Sequence, residues 1–250
     1  MKRLMPIFIV ILLSGCGILT AYAPNMLSMI VVAVMGVVVL LGIIYGLIPV
    51  LTFTQGLLTG QKSIQRASEA EEKSVWITAL QMDRFFRQKK MDQLFREYRD
   101  KVKQQRQNGQ IVSDLEDILN EDVLALYSWQ GVVAQIPGTL TGLGILGTFI
   151  GLLRGLRNIN FVTVEAALSS VQSILTGIDT AFYTSIAGVI VSILFNISNN
   201  ILRNTMDREM GIFLEVFHRV VLPTTQEQER YRSRRETRQI MDLLDRLPKK

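Results

Sequence analysis

The chain has 250 residues, a formal net charge of +5, one cysteine and one histidine. So few sulfur and imidazole groups exclude a disulfide framework and argue against a structural zinc site. Charge is unevenly spread, because no charged residue lies between Arg3 and Lys62 and only four lie between Gly131 and Leu202. A helix that crosses the ~30 Å hydrocarbon core needs about 20 apolar residues. Each charge-poor zone is long enough for two such helices, so the sequence predicts an all-α membrane protein.

Four membrane-spanning helices are predicted, at 4–23, 26–53, 132–153 and 171–195. Pro24-Asn25 separates the first two, and a short linker separates the last two. Lysine and arginine concentrate at the N-terminus, in 61–130 and after residue 203, and the positive-inside rule places these segments in the cytoplasm. The predicted organisation is spans one and two in 1–60, a cytoplasmic helical domain in 61–130, spans three and four in 131–202 and a cytoplasmic helical tail in 203–250. We expect a multi-pass protein of a bacterial inner membrane with both termini in the cytoplasm.

The N-terminus has a second interpretation. Lys2-Arg3, an apolar run and then Leu13-Ser14-Gly15-Cys16 are similar to a bacterial lipoprotein signal, in which Cys16 would be acylated after cleavage. An uncleaved span is favoured, with Cys16 as a small buried thiol at a helix contact. The orientation of the later spans is the same in both cases.

Apolar residues recur at helical spacing in the segments outside the predicted spans. The first such helix covers 75–102, Asn108-Gly109 ends it, and Ser113 with Glu116 is a predicted capping box for the next helix. Pro137 predicts a break or hinge at the entry of the third span, and Thr224 with Glu227 is a capping box for a last helix after Pro223. Basic and acidic residues are mixed in 61–130, twelve of each, which argues against nucleic-acid binding. The apolar stripes are Leu80, Phe85, Met91, Phe95, Tyr98 and Val102; Leu115, Ile118, Leu119 and Leu126; Met206, Met210, Phe213, Phe217 and Val220; and Ile240, Leu243, Leu244 and Leu247.

These stripes have two interpretations. They are faces of a self-contained bundle or of a contact between copies of the chain, or they form a docking surface for a partner. We favour the first interpretation, because an apolar stripe at helical spacing is more often a packed face.

The last two predicted spans carry small and hydroxyl residues on one face each. On the third span these are Thr141, Gly144, Thr148, Gly151 and Gly155; on the fourth they are Gly177, Ala181, Ser185, Gly188 and Ser192, with Thr180 and Thr184 alongside. Such faces let helix backbones approach closely in lipid, and the hydroxyls can bond to the preceding turn. They can also line a pore for water, an ion or a third helix. Asp179 is costly inside a span and so faces a cavity or a partner, unless it is shallow enough to reach water.

The run from Pro137 to Leu152, followed by the run from Gly177 to Gly188, resembles the MotA/TolQ/ExbB proton-channel family. The resemblance centres on the Gly-x-x-Gly-Thr-x-x-Gly pattern of 144–151. It implies an ion pathway at Thr148 and Ser185, to which we add Thr141, Thr180, Thr184 and Asp179. ExbB and TolQ have Glu at the position of Thr180, one residue after Asp179, so no family role is carried over to Asp179. Residues expected to pack the helices or line the pore are Gly144, Gly147, Gly151, Gly155, Gly177, Ala181 and Gly188.

The resemblance further implies a homopentamer around two copies of a MotB-, ExbD- or ZorB-like single-span partner that carries a membrane Asp. The transported ion would be H⁺ or Na⁺, with no cofactor and no enzymatic activity, and the surroundings would be membrane lipid. Within the family the sequence is most similar to the motor subunits of Zorya anti-phage systems. Those proteins continue into a long cytoplasmic tail, so this chain is a short-tailed relative or a shortened one.

Three other functions are weighed beside the anti-phage motor. An ExbB- or TolQ-like energiser of outer-membrane processes and a flagellar-type stator would use the same ion chemistry. A non-conducting membrane scaffold that recruits cytoplasmic partners would use the glycines only for helix packing.

Overall fold

The computed structural model of the chain describes residues 5–69, 82, 84–108, 110, 112–157, 159 and 162–222, with the single positions 229, 233, 237 and 241. Within these residues there is no strand, which confirms the predicted all-helical fold. The helices are α1 (Met5–Ala21), α2 (Met26–Gly42), α3 (Ile48–Glu69), α4 (Lys89–Gln107), α5 (Glu121–Tyr127), α6 (Gln130–Val133), α7 (Ile136–Arg157) and α8 (Val164–Val220).

Three helical stretches in the described residues are long and apolar enough to cross a membrane: Met26–Arg66, Gln130–Arg157 and Val164–Val220. They contain the second, third and fourth predicted spans, as expected for a helical membrane protein. The first predicted span falls on α1, which is apolar but has only 17 residues. A π-helical turn, Ile43–Leu47, joins α2 to α3 without interrupting the first stretch.

The chain divides into two compact units. The first unit comprises Met1–Leu51 and Ala125–Thr205, and the second comprises Thr52–Leu124 and Met206–Lys250. The predicted spans belong almost entirely to the first unit. The predicted cytoplasmic segments 61–130 and 203–250 contribute most of the second.

Small residues set the packing of the first unit. Asn25 caps α2 after the predicted Pro24-Asn25 turn, since its side-chain oxygen accepts a hydrogen bond from the backbone amide of Ser28 at 3.0 Å. A Cβ added at Gly42 would lie 2.5 Å from the end of the Ile136 side chain and 2.6 Å from the Phe195 ring, so both side chains pack directly against the α2 backbone there. Many large apolar side chains of this unit are exposed, among them Val10, Val37 and Phe149. An apolar surface of this kind is expected where a protein faces lipid.

The second unit is built around an aromatic cluster. Its rings have centroids 4.5 to 6.5 Å apart, and its members are Phe85, Phe86, Phe95, Tyr98, Phe213 and Phe217. The predicted stripes on α4 and on the end of α8 therefore pack against each other, as a self-contained bundle would. Two predicted stripe positions are wrong. Val220 is 37% exposed and Leu126 is 78% exposed, and the neighbouring Val221 and Leu124 are buried in their place.

The helix predicted over 75–102 is not continuous, because Arg87 has a left-handed φ of 55° and Gln88 is extended, and α4 begins at Lys89. Position 75 itself lies outside the described residues.

The helix predicted to start at Ser113 is wrong. At the predicted Ser113–Glu116 capping box, the side-chain amide of Gln105 donates a hydrogen bond to the Ser113 hydroxyl at 2.6 Å. The backbone amide of Glu116 instead donates to the side chain of Asp114. The result is only a short 3₁₀ turn, Leu115–Asp117.

Several other predicted features lie outside the described residues. They are Lys2, Arg3, Leu80, the start of the last helix at Pro223, Thr224 and Glu227, and the apolar stripe Ile240, Leu243, Leu244 and Leu247.

Candidate functional site

The predicted faces of small residues on α7 and α8 lie in backbone contact with each other. A Cβ added at Gly177 would lie 2.7 Å from the carbonyl oxygen of Gly151 and 2.8 Å from the Cα of Gly155. One added at Gly188 would lie 2.9 Å from the Cα of Gly144. Backbone cannot move aside as a flexible side chain can, so only glycine allows this approach. Within one chain, no passage lies between the two helices along this contact.

Three hydroxyl residues lie along one edge of the contact, and we call them the hydroxyl edge: Thr141, Thr148 and Ser185. Each is half-buried. Thr148 Oγ1 lies 3.1 Å from two acceptors, the carbonyl oxygens of Gly144 on its own helix and of Ala181 on α8. Thr141 donates to the Pro137 carbonyl at 3.1 Å. Ser185 lies beside Gly144, and its hydroxyl has no hydrogen bond to any part of the chain that the structure describes.

Thr180 and Thr184 lie on the opposite edge, which is closed by the rest of the first unit. Thr184 packs on Gly147 and donates to the carbonyl oxygen of Thr180 at 2.9 Å. The Thr180 hydroxyl accepts a hydrogen bond from the side-chain amide of Asn25 at 2.5 Å and donates one to the carbonyl oxygen of Thr176 at 2.8 Å. Both threonines are buried. Their hydroxyls are thus used within the chain, whereas the hydroxyl edge is accessible.

Asp179 lies away from both edges. It is two residues before Ala181, and at about 100° per residue its side chain points roughly 160° away from the contact with α7. It is exposed on the outer side of α8. The structure therefore does not bring Asp179 together with Thr148 and Ser185 within one chain.

Pro137 is the second residue of α7, and the two-residue segment 134–135 separates α7 from α6. This is a position that proline tolerates, since the first turn lacks intrahelical acceptors. Ser192 of α8 donates to the Pro137 carbonyl oxygen at 2.8 Å, and Thr141 donates to the same oxygen. The sequence did not indicate this bond, although the four-residue spacing from Gly188 placed Ser192 on the face of α8 that contacts α7.

Two further polar groups of the first unit were missed from the sequence. The Tyr183 hydroxyl donates to the carbonyl oxygen of Leu19 at 2.5 Å and ties α8 to α1. Gln130 is only 3% exposed, and neither polar atom of its side-chain amide has a hydrogen-bond partner among the described residues. Nothing in the local sequence pattern separates Gln130 from the exposed glutamines of the chain.

Cys16 is buried on α1, where it lines an apolar cavity of about 160 Å³ together with Leu12 and Val191. No cluster of three or more His, Cys, Asp or Glu side chains that could hold a metal ion occurs in the ranges that the structure describes.

Comparison with known proteins identifies the family. A family model described as anti-phage protein ZorA of the Zorya type I system matches residues 12–205. The chain belongs to this ZorA family. The match extends from α1 through the whole of the α7–α8 contact, and it confirms the resemblance to Zorya proteins inferred from the sequence.

Two curated ZorA proteins match more locally. The Zorya protein ZorA of Escherichia coli strain Crooks is 47% identical over 60 residues, which are 24% of this chain and 10% of that protein. The Zorya protein ZorA of Escherichia coli O139:H28 is 43% identical over 60 residues, 24% of this chain and 8% of that protein. The matched stretch thus spans about a tenth of the length of these curated relatives.

Proposed function

We propose that the chain is an ion-conducting subunit of a membrane motor, which uses the transmembrane proton or sodium gradient to drive a partner protein in anti-phage defence. The observation that carries this proposal is the hydroxyl edge, an accessible row of oxygen atoms beside two helices in backbone contact. Membership of the ZorA family supports the link to defence. The four-span topology, the inner membrane and the cytoplasmic termini are part of the proposal.

The ion path that we propose runs along the hydroxyl edge, and not between the two helices of one chain. The Thr148 proton is directed at a carbonyl oxygen, so the lone pairs of Oγ1 are open to accept a hydrogen bond or contact a cation. The unbonded Ser185 hydroxyl can both donate and accept. Such a row offers oxygen ligands without fixing a charge in the membrane. Thr180, Thr184 and Asp179 are not on this edge, so the proposed path does not use them.

The partner in this proposal is a single-span protein with a membrane Asp, present as two copies inside a ring of five copies of this chain. One charge that moves down the membrane potential releases about 2.3 kcal/mol per 100 mV. Protonation or ion binding would neutralise the partner Asp and free its helix to move to the next site. A ring of five chains cannot present the same site to both partner helices at once, because two does not divide five. The two helices therefore move alternately, and the motion becomes stepwise rotation.

The direct test removes the two hydroxyls that the path requires. Thr148→Ala with Ser185→Ala is expected to abolish protection in cells that carry the complete Zorya system, measured as the plating efficiency of a sensitive phage. A matched control is Thr139→Ala with Thr176→Ala, which removes one hydroxyl from each helix. In the wild type these two bond only within their own helices, to Gln135 and Gln172. Immunoblots of washed membranes would verify equal amounts of each variant.

Full protection by the first variant would exclude the relay role, and equal loss in both variants would attribute the effect to packing. Native mass spectrometry of the complex in mild detergent tests the assembly independently. Five copies of the chain with two of a small single-span protein are expected. A monomer or dimer without such a partner would instead favour a non-conducting scaffold, for which the tight glycine contact serves packing alone.

A further inference from the structure

A basic groove lies at the start of α4 in the second unit. It has a volume of about 790 Å³ and is lined by Arg84, Arg87, Lys89, Asp92 and Arg96. The four basic side chains are exposed, and none forms an ion pair with a carboxylate that the structure describes. Asp92 is buried, and one of its oxygens accepts the Phe86 amide at 2.8 Å. The described side chains on the accessible surface of the groove are therefore cationic, and none of the four is paired within the part of the chain that the structure describes.

Arg87 occupies a backbone position that does not suit arginine. Its φ of 55° lies in the left-handed region, which glycine and asparagine adopt far more readily. The fold alone would favour glycine here. An arginine at this position adds a fourth charge to the groove at the expense of backbone strain.

The groove lies close to the point where α3 leaves the apolar part of its sequence. A Cβ added at Gly56 of α3 would lie 2.5 Å from Met91 Sδ and 3.1 Å from the side chain of Gln88, so the first turn of α4 packs on Gly56. Gly56 is three residues after Phe53, the end of the predicted second span, or roughly 4.5 Å of helical rise. The headgroup layer extends about 5–7 Å beyond the hydrocarbon on each side. With the span topology proposed above, Gly56 and the start of α4 are at headgroup depth, so the inference below rests on that topology.

We propose that this groove binds the phosphate groups of anionic phospholipids in the membrane leaflet that α3 enters. Guanidinium groups match phosphate oxygens with paired hydrogen bonds, and lysine adds a point charge. Clusters of basic residues next to a span are attracted to anionic headgroups. The proposed site lies on α4 and the preceding turn, apart from the hydroxyl edge, and does not depend on ion conduction.

The test is a lipid titration of the full chain after delipidation in mild detergent, followed by native mass spectrometry. The probes are dioleoylphosphatidylglycerol and the zwitterionic dioleoylphosphatidylcholine. The groove variant is Arg87→Gln with Lys89→Gln. The control is Lys101→Gln with Lys103→Gln, which makes the same change in charge at exposed positions further along α4. At roughly fivefold per basic residue, the groove variant is expected to bind phosphatidylglycerol about twenty-five-fold more weakly.

A third variant, Arg87→Gly, separates binding from folding. It is expected to unfold at the same temperature as the wild type or higher, because glycine relieves the left-handed strain, while phosphatidylglycerol binding falls about fivefold. Equal loss of lipid in the groove and control variants would overturn the proposal, as would unchanged binding in Arg87→Gly. Full displacement of the lipid by inorganic phosphate at the same concentration would assign the groove to a free phosphate and overturn the lipid assignment.

Discussion

The Thr148 hydroxyl of α7 and the Ser185 amide of α8 share one acceptor, the carbonyl oxygen of Ala181. The hydroxyl lies 3.1 Å from this oxygen, and Ser185 is four residues after Ala181 in an uninterrupted helix, whose pattern directs its amide to the same atom. The Ala181 carbonyl oxygen thus fixes the position of Thr148 along the helix axes relative to Ser185. The two hydroxyls that we assign to the ion path are positioned by a backbone group and not by each other.

The first prediction concerns the contribution of the Thr148 hydroxyl to the free energy of unfolding. Thr148→Val keeps the shape of the side chain and removes the bond to Ala181, and hydrogen bonds between helices in a membrane average about 0.6 kcal/mol. We expect a loss of that size in the free energy of unfolding, measured by denaturant titration in mixed micelles. Thr148→Ser should retain most of it, and Thr139→Val should have a smaller effect because Thr139 bonds only to its own helix. A loss of several kcal/mol in Thr148→Val would contradict a positioning bond of this strength.

The second prediction concerns the glycine contact. Gly177→Ala places a methyl group against the backbone of Gly151 and Gly155, so α7 and α8 must separate. We expect a destabilisation of about 1–3 kcal/mol, as for other overpacked sites. Gly142→Ala is the matched control, since a Cβ at Gly142 on α7 meets no atom within 4 Å. Alanine is the better helix former, so this control is expected to be neutral or slightly stabilising. Similar thermal stability for the two variants would rule out a steric role for Gly177.

The third prediction concerns the bond between Asn25 and Thr180, which joins the α1–α2 turn to α8 at 2.5 Å. Asn25→Ser keeps a side chain that can cap α2 but is too short to keep the bond to Thr180. In a double-mutant cycle with Thr180→Val, a coupling energy of about 0.6–1.7 kcal/mol in unfolding free energy is expected. Strictly additive effects would show that the two side chains do not interact in the folded protein.

The sequence predicted the contact line of α7 and α8 because small residues at helical spacing let helix backbones approach closely in a membrane, which was one of the two uses considered for these faces. It could not show which edge of that line is closed. Gly147 and Thr148 are neighbours in sequence, yet Gly147 packs on Thr184 while Thr148 lies on the accessible side. On the closed edge Thr180 is bonded to Asn25, which comes from a distant part of the chain and gives no local signal at Thr180.

The second unit shows the same division between local and distant information. The 3.6-residue period of Phe95 and Tyr98 predicted that they are buried, and it gave no indication that both contact the ring of Phe217 on α8. The capping-box prediction also failed, because Ser113 and Asp114 are both able to cap the following turn. Ser113 has the right spacing for a capping box, but Gln105 on α4 binds its hydroxyl and its amide, at 2.6 and 3.0 Å, so the adjacent Asp114 becomes the cap.

The last prediction concerns alkaline pH and Tyr98. Burial raises the pKa of the Tyr98 phenol, and the nearby carboxylates of Asp114 and Asp117 raise it further. The unfolded chain, with a tyrosine pKa near 10, therefore loses this proton more readily than the folded chain. The stability contributed by the neutral phenol is complete below about pH 10 and falls as the pH rises above it.

Tyr98→Phe tests this linkage in the second unit. At neutral pH the variant should be less stable by about 1 kcal/mol, because the bond from Tyr98 to the Ser113 carbonyl is lost. The difference from the wild type should shrink as the pH rises above about 10, since phenylalanine cannot ionise in the unfolded state. Denaturant titrations at several pH values measure it, with Tyr22→Phe as a control at a side chain that is 79% exposed. A difference that stayed constant across that range would mean that the Tyr98 phenol ionises as easily in the folded protein as in the unfolded chain.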